Sequence, residues 1–113
     1  VHEVSIMQST LDLAEQQARR SGAAAIHQLR MRIGTLSGVV SDALRFAFEA
    51  LKADTLAAAA TLEIEEVPPA CWCDVCRAEF AVTDYVYECP TCHRPSADLR
   101  RGREIALVSL EIS

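Results

Sequence analysis

Apolar residues first recur at Val4, Met7, Leu11, Ala14 and Ala18, three or four positions apart. That spacing lines them along one face and predicts an amphipathic helix beginning near the chain's start. The helix should stop at Arg19-Arg20-Ser21-Gly22, where basic side chains meet its negative end and Gly22 can adopt the left-handed cap. The period then drops to two. His27, Leu29, Met31 and Ile33 alternate with Gln28, Arg30 and Arg32, predicting a half-buried strand that ends near Gly34 and carries His27 on its apolar face. A histidine so placed is most simply a satisfied core residue. Ser41 stands where an N-cap belongs, opening a second helix with Leu44, Ala47, Phe48 and Leu51 turned inward. The run Ala57–Ala60 predicts a helical turn or a tight connection.

Alternation returns over Thr61–Glu65, and Pro68 and Pro69 then withhold the N–H groups a ladder needs. A last strand is predicted over Glu104–Ile112. Ala106, Val108, Leu110 and Ile112 share one of its faces, while Ile105 and Leu107 make the other partly apolar. Such a strand suits a sheet interior, which the short cysteine-bearing segment before it is too small to provide. It is therefore expected to return to the strands near 27–34 and 61–67. Residues 70–103 become an excursion from a sheet that the end of the chain completes, leaving 1–69 plus 104–113 as the main unit.

Composition narrows the classes. With 113 residues, half of them apolar, the chain suits one small domain carrying a smaller module. No run of about 18 uncharged apolar residues occurs, so a membrane-spanning helix is not expected. The first residues lack the basic and apolar regions of a secretory signal, which makes the cytoplasm the expected address. In a reducing compartment, closely spaced cysteines read as metal ligands rather than disulfides. The net charge is −5, and Ala70–Gly102 holds four Arg against five Asp and Glu. A nucleic-acid surface is not expected.

Cys73-Asp-Val-Cys76 and Cys89-Pro-Thr-Cys92 are separated by twelve residues. Each CxxC turn can aim two thiolates at one point, and two such turns complete a tetrahedral zinc site. Phe80–Val82 and Tyr85–Tyr87 are expected to pair as a hairpin carrying the turns, as in a zinc ribbon. Four thiolates leave no open position, so the zinc is structural and supplies folding energy that so short a segment lacks. The competing reading of Cys-Pro-Thr-Cys is a thiol–disulfide motif. That motif belongs at a helix start, and His93-Arg94-Pro95-Ser96 is a poor helix opening. Cys71 has no partner at ligand spacing and reads as a free thiol, while His93 reads as a polar residue on its turn.

His2 lies beside Val1 and its amine. The amine, the deprotonated His2 amide and the imidazole can close two adjoining chelate rings around one ion. Amide deprotonation near neutral pH requires a metal that prefers square-planar nitrogen donors, nickel(II) or copper(II), and a reducing cytoplasm favours nickel. Taken alone, a histidine at an N-terminus is more often only a surface residue.

Several stretches together resemble one family over the whole chain. They are His2–Ile6, Leu29–Gly34, Leu44–Phe48, Ala70–Cys76, Cys89–His93 and Ser109–Ile112. The family is that of the HypA/HybF nickel metallochaperones of [NiFe]-hydrogenase maturation. The resemblance implies an α+β fold in which two helices pack on a three-stranded sheet, with a zinc-ribbon-like module inserted before the last strand. It implies nickel as cargo at Val1, His2 and Glu3, with Val1 and Glu3 acting through backbone nitrogen, and structural zinc at Cys73, Cys76, Cys89 and Cys92. The implied partners are a HypB-type GTPase and a hydrogenase large-subunit precursor, with urease maturation proteins and a second copy of the chain as further candidates. The implied role is that of a carrier, not an enzyme. A zinc-ribbon interaction or regulatory module without nickel transfer is the alternative reading. Two departures stand out. Val1 replaces the usual methionine, as a GUG start would, and any residue with a free amine preserves the chelate. Val40 stands where the family often has a carboxylate, and Asp42 nearby is not an obvious substitute.

Overall fold

The computed structural model describes residues 2–113. Helix α1 spans Glu3–Arg20 and buries Met7, Thr10, Leu11, Ala14 and Ala18. Thr10 joins this apolar stripe because its hydroxyl donates back to the Ile6 carbonyl at 2.8 Å, leaving the methyl for the core. Val4 does not join it and is exposed. One turn before Met7 the inward position belongs to Glu3, whose carboxylate accepts the Val40 N–H at 3.2 Å. The end of α1 follows the sequence expectation. Gly22 is left-handed (φ 74°), Ala23 N–H donates to Ala18 O at 2.9 Å and Gly22 N–H to Arg19 O at 3.0 Å, a Schellman cap.

Strand β1 (Ile26–Gly34) is the middle of a three-stranded sheet, between β2 (Thr61–Val67) and β6 (Ile105–Ile112), with helix α2 (Ser41–Leu51) linking β1 to β2. β1 and β2 run parallel, with Leu29 beside Leu62 and Met31 beside Ile64. Residues 52–60 form a tight connection of turns that buries Ala57 and Ala60. Both helices cover one sheet face. Met7, Leu11, Leu29, Met31, Ile33, Leu44 and Phe48 form the centre of that core. On the other face Arg30 pairs with Glu63 at 3.3 Å and Arg32 with Glu65 at 2.8 Å. Exposed pairs of this kind add little stability but favour this register over a slip.

Four expectations need correction here. Ser41 is not the N-cap of α2: Val40 occupies that position, and the Ser41 hydroxyl donates to Glu66 on β2 at 2.9 Å. His27 is exposed, its ring 2.7 Å from the Ser113 hydroxyl. A register shift opposite Ile112–Glu111 inserts one extra residue in β1, so Ile26 takes the buried place assigned to His27. A second shift lies opposite Arg30–Met31, where Val108 is the extra residue in β6. Leu107, Leu110 and Ile112 therefore pack on the core, while Ala106 and Val108 face solvent. Finally, β6 is an edge strand and not an interior one, because β1 already has β2 on its other side.

Removal of residues 104–113 deletes the whole antiparallel partner of β1. It also removes three side chains that contribute up to roughly 1.5–3 kcal/mol each when fully buried. That loss is comparable to the about 5–15 kcal/mol net stability of a small domain. The truncated protein is expected to lose its cooperative thermal transition in far-UV circular dichroism. A melting curve like that of the full chain would show that β6 is dispensable.

After Val67 the chain leaves this sheet and builds a second one, order β4-β3-β5, from β3 (Ala70–Cys73), β4 (Ala78–Ala81) and β5 (Leu99–Arg101). The hairpin differs from the expected one. β3 pairs with β4, whereas Phe80–Val82 and Tyr85–Tyr87 meet only through a Thr83–Val86 bridge across a tight turn at Asp84–Tyr85. The chain beyond that turn is needed to carry Cys89 back to the other cysteines. Where the two units join, Gly34 and Gly102 are in such close approach that a Cβ on Gly34 would lie 2.1 Å from the Gly102 carbonyl carbon. Leu36 N–H donates to Gly102 O, and Gly102 N–H donates to the Glu104 carboxylate, both at 2.7 Å.

Candidate metal centres

Each CxxC segment is held by the same local device. In the first, β3 delivers Cys73, the turn 74–77 follows, and β4 returns at Ala78. Cys76 N–H points at the Cys73 sulfur (3.4 Å), and Arg77 reverses the chain with a left-handed φ of 52°. In the second, His93 has the equivalent conformation (φ 64°) and donates its N–H to Cys89 O at 2.8 Å. The two turns face each other. Cys73 Sγ lies 3.5 Å from Cys92 Sγ, Cys89 Sγ 3.9 Å from Cys76 Sγ, and all four sulfurs fall within 4.8 Å of one another. A tetrahedral zinc with about 2.3 Å bonds to sulfur requires sulfur–sulfur edges of about 3.8 Å. The cluster suits structural zinc. Among the described residues it is also the one place where three or more His, Cys, Asp or Glu side chains converge at metal-binding distance.

Crowding four thiols spreads their proton affinities. Cys89 is drawn down to about 6 by the N–H groups of Cys92 and Thr91. Cys76 is pushed up to about 12 by the neighbouring Cys92 thiol, aided by burial and by Cys89 and Cys73. One thiolate forms readily, and the full set requires a cation that replaces the remaining protons. Cys71 lies outside this set. It is fully buried in the module's small core with Phe80 and Val82, and burial pushes its thiol up, as expected of an inert packing residue. The His93 ring turns away from the sulfurs to Glu88, Nδ1 to Oε1 3.1 Å. No helix follows Cys92 among the described residues, contrary to the requirement of the thiol–disulfide reading. Trp72 completes the module: Arg100 lies 4.9 Å from its ring centroid and is itself held by Asp98 through two 2.9 Å bonds.

The second candidate is the start of α1. Val1, the proposed amine ligand, lies outside the described residues. His2 is the N-cap, in extended conformation (φ −104°, ψ 90°), with its side chain exposed and its carbonyl accepting Ile6 N–H at 3.0 Å. The first N–H groups of a helix have no intrahelical acceptor, so the amides of His2 and Glu3 can lose protons without breaking the ladder. The helix dipole places partial positive charge here, which opposes a bare cation and favours anionic donors. The Glu3 carboxylate is held below its usual range by the Val40 N–H, then by its own N–H and the charges of the N-terminus and His2. Glu3 thus links the starts of both helices across 37 positions. No local pattern pairs these residues, and sequence reasoning missed the link. Asp42 pairs with Arg45 at 3.4 Å on α2 and does not join His2 and Glu3 in a metal-binding group.

Comparison with known proteins bears on both centres. Residues 1–112 match the family model described as HypA, hydrogenase/urease nickel incorporation, metallochaperone. The hydrogenase maturation factor HypA of Picosynechococcus sp. is 47% identical over 112 residues, covering 99% of each chain. That of Chloroflexus aurantiacus is 42% identical, covering 98% of each. The solution structure of the nickel metallochaperone HypA from Helicobacter pylori superposes with a TM-score of 0.69 at 28% identity, over 99% of this chain and 97% of that one. A second HypA solution structure gives 0.75 at 27% identity, over 99% and 96%. With its two helices on a three-stranded sheet and its inserted four-cysteine module, the chain belongs to the HypA family of nickel-incorporation metallochaperones.

Proposed function

We propose that this chain carries one nickel(II) ion at its first residues and delivers it, with a HypB-type GTPase, to a [NiFe]-hydrogenase large-subunit precursor. In this reading the amine of Val1, the amide and imidazole of His2 and the amide nitrogen of Glu3 hold the ion. Residues 1–69 plus 104–113 form the nickel domain. Cys73, Cys76, Cys89 and Cys92 hold zinc in the module at 70–103, which is structural and turns over no substrate. The observation that carries the reading is the exposed His2 at the start of α1, next to amides that the helix leaves without acceptors. A closed cage of four thiolates is unsuited to cargo that must be released, whereas an open chelate exchanges ligands stepwise with an acceptor.

The setting is cytoplasmic, with urease maturation proteins as alternative recipients and a homodimer as an alternative assembly. The test is made in cells lacking this protein and any paralogue. They are expected to accumulate hydrogenase large-subunit polypeptide without nickel, and added nickel salt should restore part of the activity. Full hydrogenase activity in ordinary medium would end the carrier reading.

A further inference from the structure

Five cysteines and two methionines carry all the sulfur in this chain, and the fold exposes them unequally. Met7, Met31 and Cys71 are sealed in the two cores, each at most 1% exposed. Cys73 and Cys89 are also buried, whereas Cys76 lies at the surface and Cys92 is half-buried. Val75, beside Cys76, is itself exposed, so its side chain does not cover that turn. An oxidant arriving from solvent therefore meets sulfur first at the four-cysteine cluster, because susceptibility follows exposure.

Two close sulfur contacts cross from one turn to the other. Cys73 Sγ faces Cys92 Sγ at 3.5 Å, and Cys76 Sγ faces Cys89 Sγ at 3.9 Å. Within its own turn each leading sulfur meets backbone instead. Cys73 Sγ accepts Cys76 N–H at 3.4 Å, and the N–H groups of Cys92 and Thr91 bond to Cys89. A disulfide about 2.05 Å long asks each crossing pair to approach by less than about 2 Å, within the sweep of a side-chain rotation. The crossing partners stand 19 and 13 positions apart in the chain. Bonds of that span restrain an opened chain far more than a bond between residues 3 apart inside one turn. Crossing disulfides can therefore hold the two turns together as the metal does.

We infer that the cluster is a reversible redox switch, in which a hydroperoxide joins Cys73 to Cys92 and Cys76 to Cys89, expels zinc and leaves the module clamped by two disulfides. The inference rests on the zinc reading above and adds what the same four side chains do when oxidised. In each pair, one thiolate attacks a peroxide oxygen, the O–O bond breaks, and a sulfenic acid and a hydroxide result. The facing thiolate then attacks the sulfenic sulfur and displaces a second hydroxide, forming the disulfide. With hydrogen peroxide, four sulfurs give up four electrons to two peroxide molecules. Zinc leaves as the unchanged divalent ion, and the four hydroxides take protons from the medium to become water. A dithiol reverses the change by exchange through a mixed disulfide, and the freed thiolates rebind zinc.

The test treats the full-length, zinc-loaded protein with rising amounts of hydrogen peroxide. A colorimetric chelator follows zinc release, and remaining thiols are alkylated before digestion without reductant. Zinc should leave in proportion to peroxide, about two molecules per ion. Trypsin cuts after Arg77 and so separates the two turns, leaving crossing disulfides to join two peptides. Cleavage before Asp74, with fragmentation between Cys89 and Cys92, assigns each partner. Dithiothreitol and added zinc should then restore the near-ultraviolet dichroism of Trp72, and Cys71→Ser should oxidise in the same way. Disulfides confined to single turns would overturn the inference. So would a disulfide through Cys71, oxidation to sulfinic acid that dithiothreitol cannot reverse, or zinc retained with all four thiols intact. The two readings fail separately. Protein that holds no zinc before peroxide yet forms both crossing bonds removes the zinc reading and leaves the pairing. Zinc-loaded protein that forms bonds only inside each turn does the reverse.

Discussion

Serine at Cys89 is expected to reduce bound zinc from one ion per chain to nearly none and to unfold residues 70–103. The reason is the poverty of that module's own core. Its buried residues are Cys71, Cys73, Phe80, Val82 and Cys89, and two of these are proposed ligands. Structural zinc contributes on the order of 10 kcal/mol in small zinc-held units, more than so few apolar side chains can replace. Elemental analysis measures the zinc. The chain's single tryptophan, Trp72, held under Arg100, reports the fold through its near-ultraviolet dichroism and emission. Cys71→Ser is the contrasting variant. It should keep one zinc while losing about 1–3 kcal/mol, the penalty for a hydroxyl left unpaired in an apolar core. Equal zinc loss from both variants would place Cys71 among the ligands. Acid should act in the same direction as Cys89→Ser, because protons compete for the thiolates. Cys76 is the strongest competitor, its thiol lying near 12 without metal.

The second large effect concerns the other end of the chain. His2→Ala is expected to weaken nickel binding by more than about 100-fold, exceeding what loss of an outer-shell partner costs a metal site. One extra residue before Val1 should do nearly as much. It keeps every side chain yet moves the amine and changes the chelate ring sizes. Protons compete with the metal for the lone pairs of the amine and the imidazole, and both groups must be unprotonated to bind. Affinity should therefore fall as pH is lowered, with the fold unchanged by circular dichroism. Unaltered nickel affinity and absorption spectrum in the extended protein would exclude the amine as a ligand and require donors from elsewhere in the fold.

Local signals were legible where nothing distant competes with them. The α1 stripe from Met7 to Ala18, its Gly22 cap and the two CxxC spacings all follow from short-range geometry, and the structure shows each in place. His27 and Val108 were misplaced for a single reason: counting by twos cannot register one inserted residue, and a bulge reverses every face beyond it. Ser41 had the composition of a cap, but Glu66 lies within reach of its hydroxyl and Glu3 supplies negative charge to the same helix end. The expected hairpin at 80–87 shrinks to the Thr83–Val86 bridge because the chain beyond that turn carries Cys89 back to Cys73, Cys76 and Cys92. Such outcomes depend on residues far apart in sequence that the fold brings together.

The insertion between β2 and β6 also sets an order of events during synthesis. Helix α1, β1, α2 and β2 emerge from the ribosome first, and β1 then has one free edge until residues 68–104 have followed. Joining β6 to that edge closes a loop whose chain entropy opposes it by about 3 kcal/mol, if the loop is slack. Zinc draws the ends of that loop together: residues 70–73 and 99–101 become neighbouring strands of one sheet, presenting Pro69 to Gly102. The metal that holds the module therefore shortens the search by which the last strand finds its place. In zinc-starved cells the newly made chain would display an open apolar strand edge, exposed to proteases and to other nascent chains.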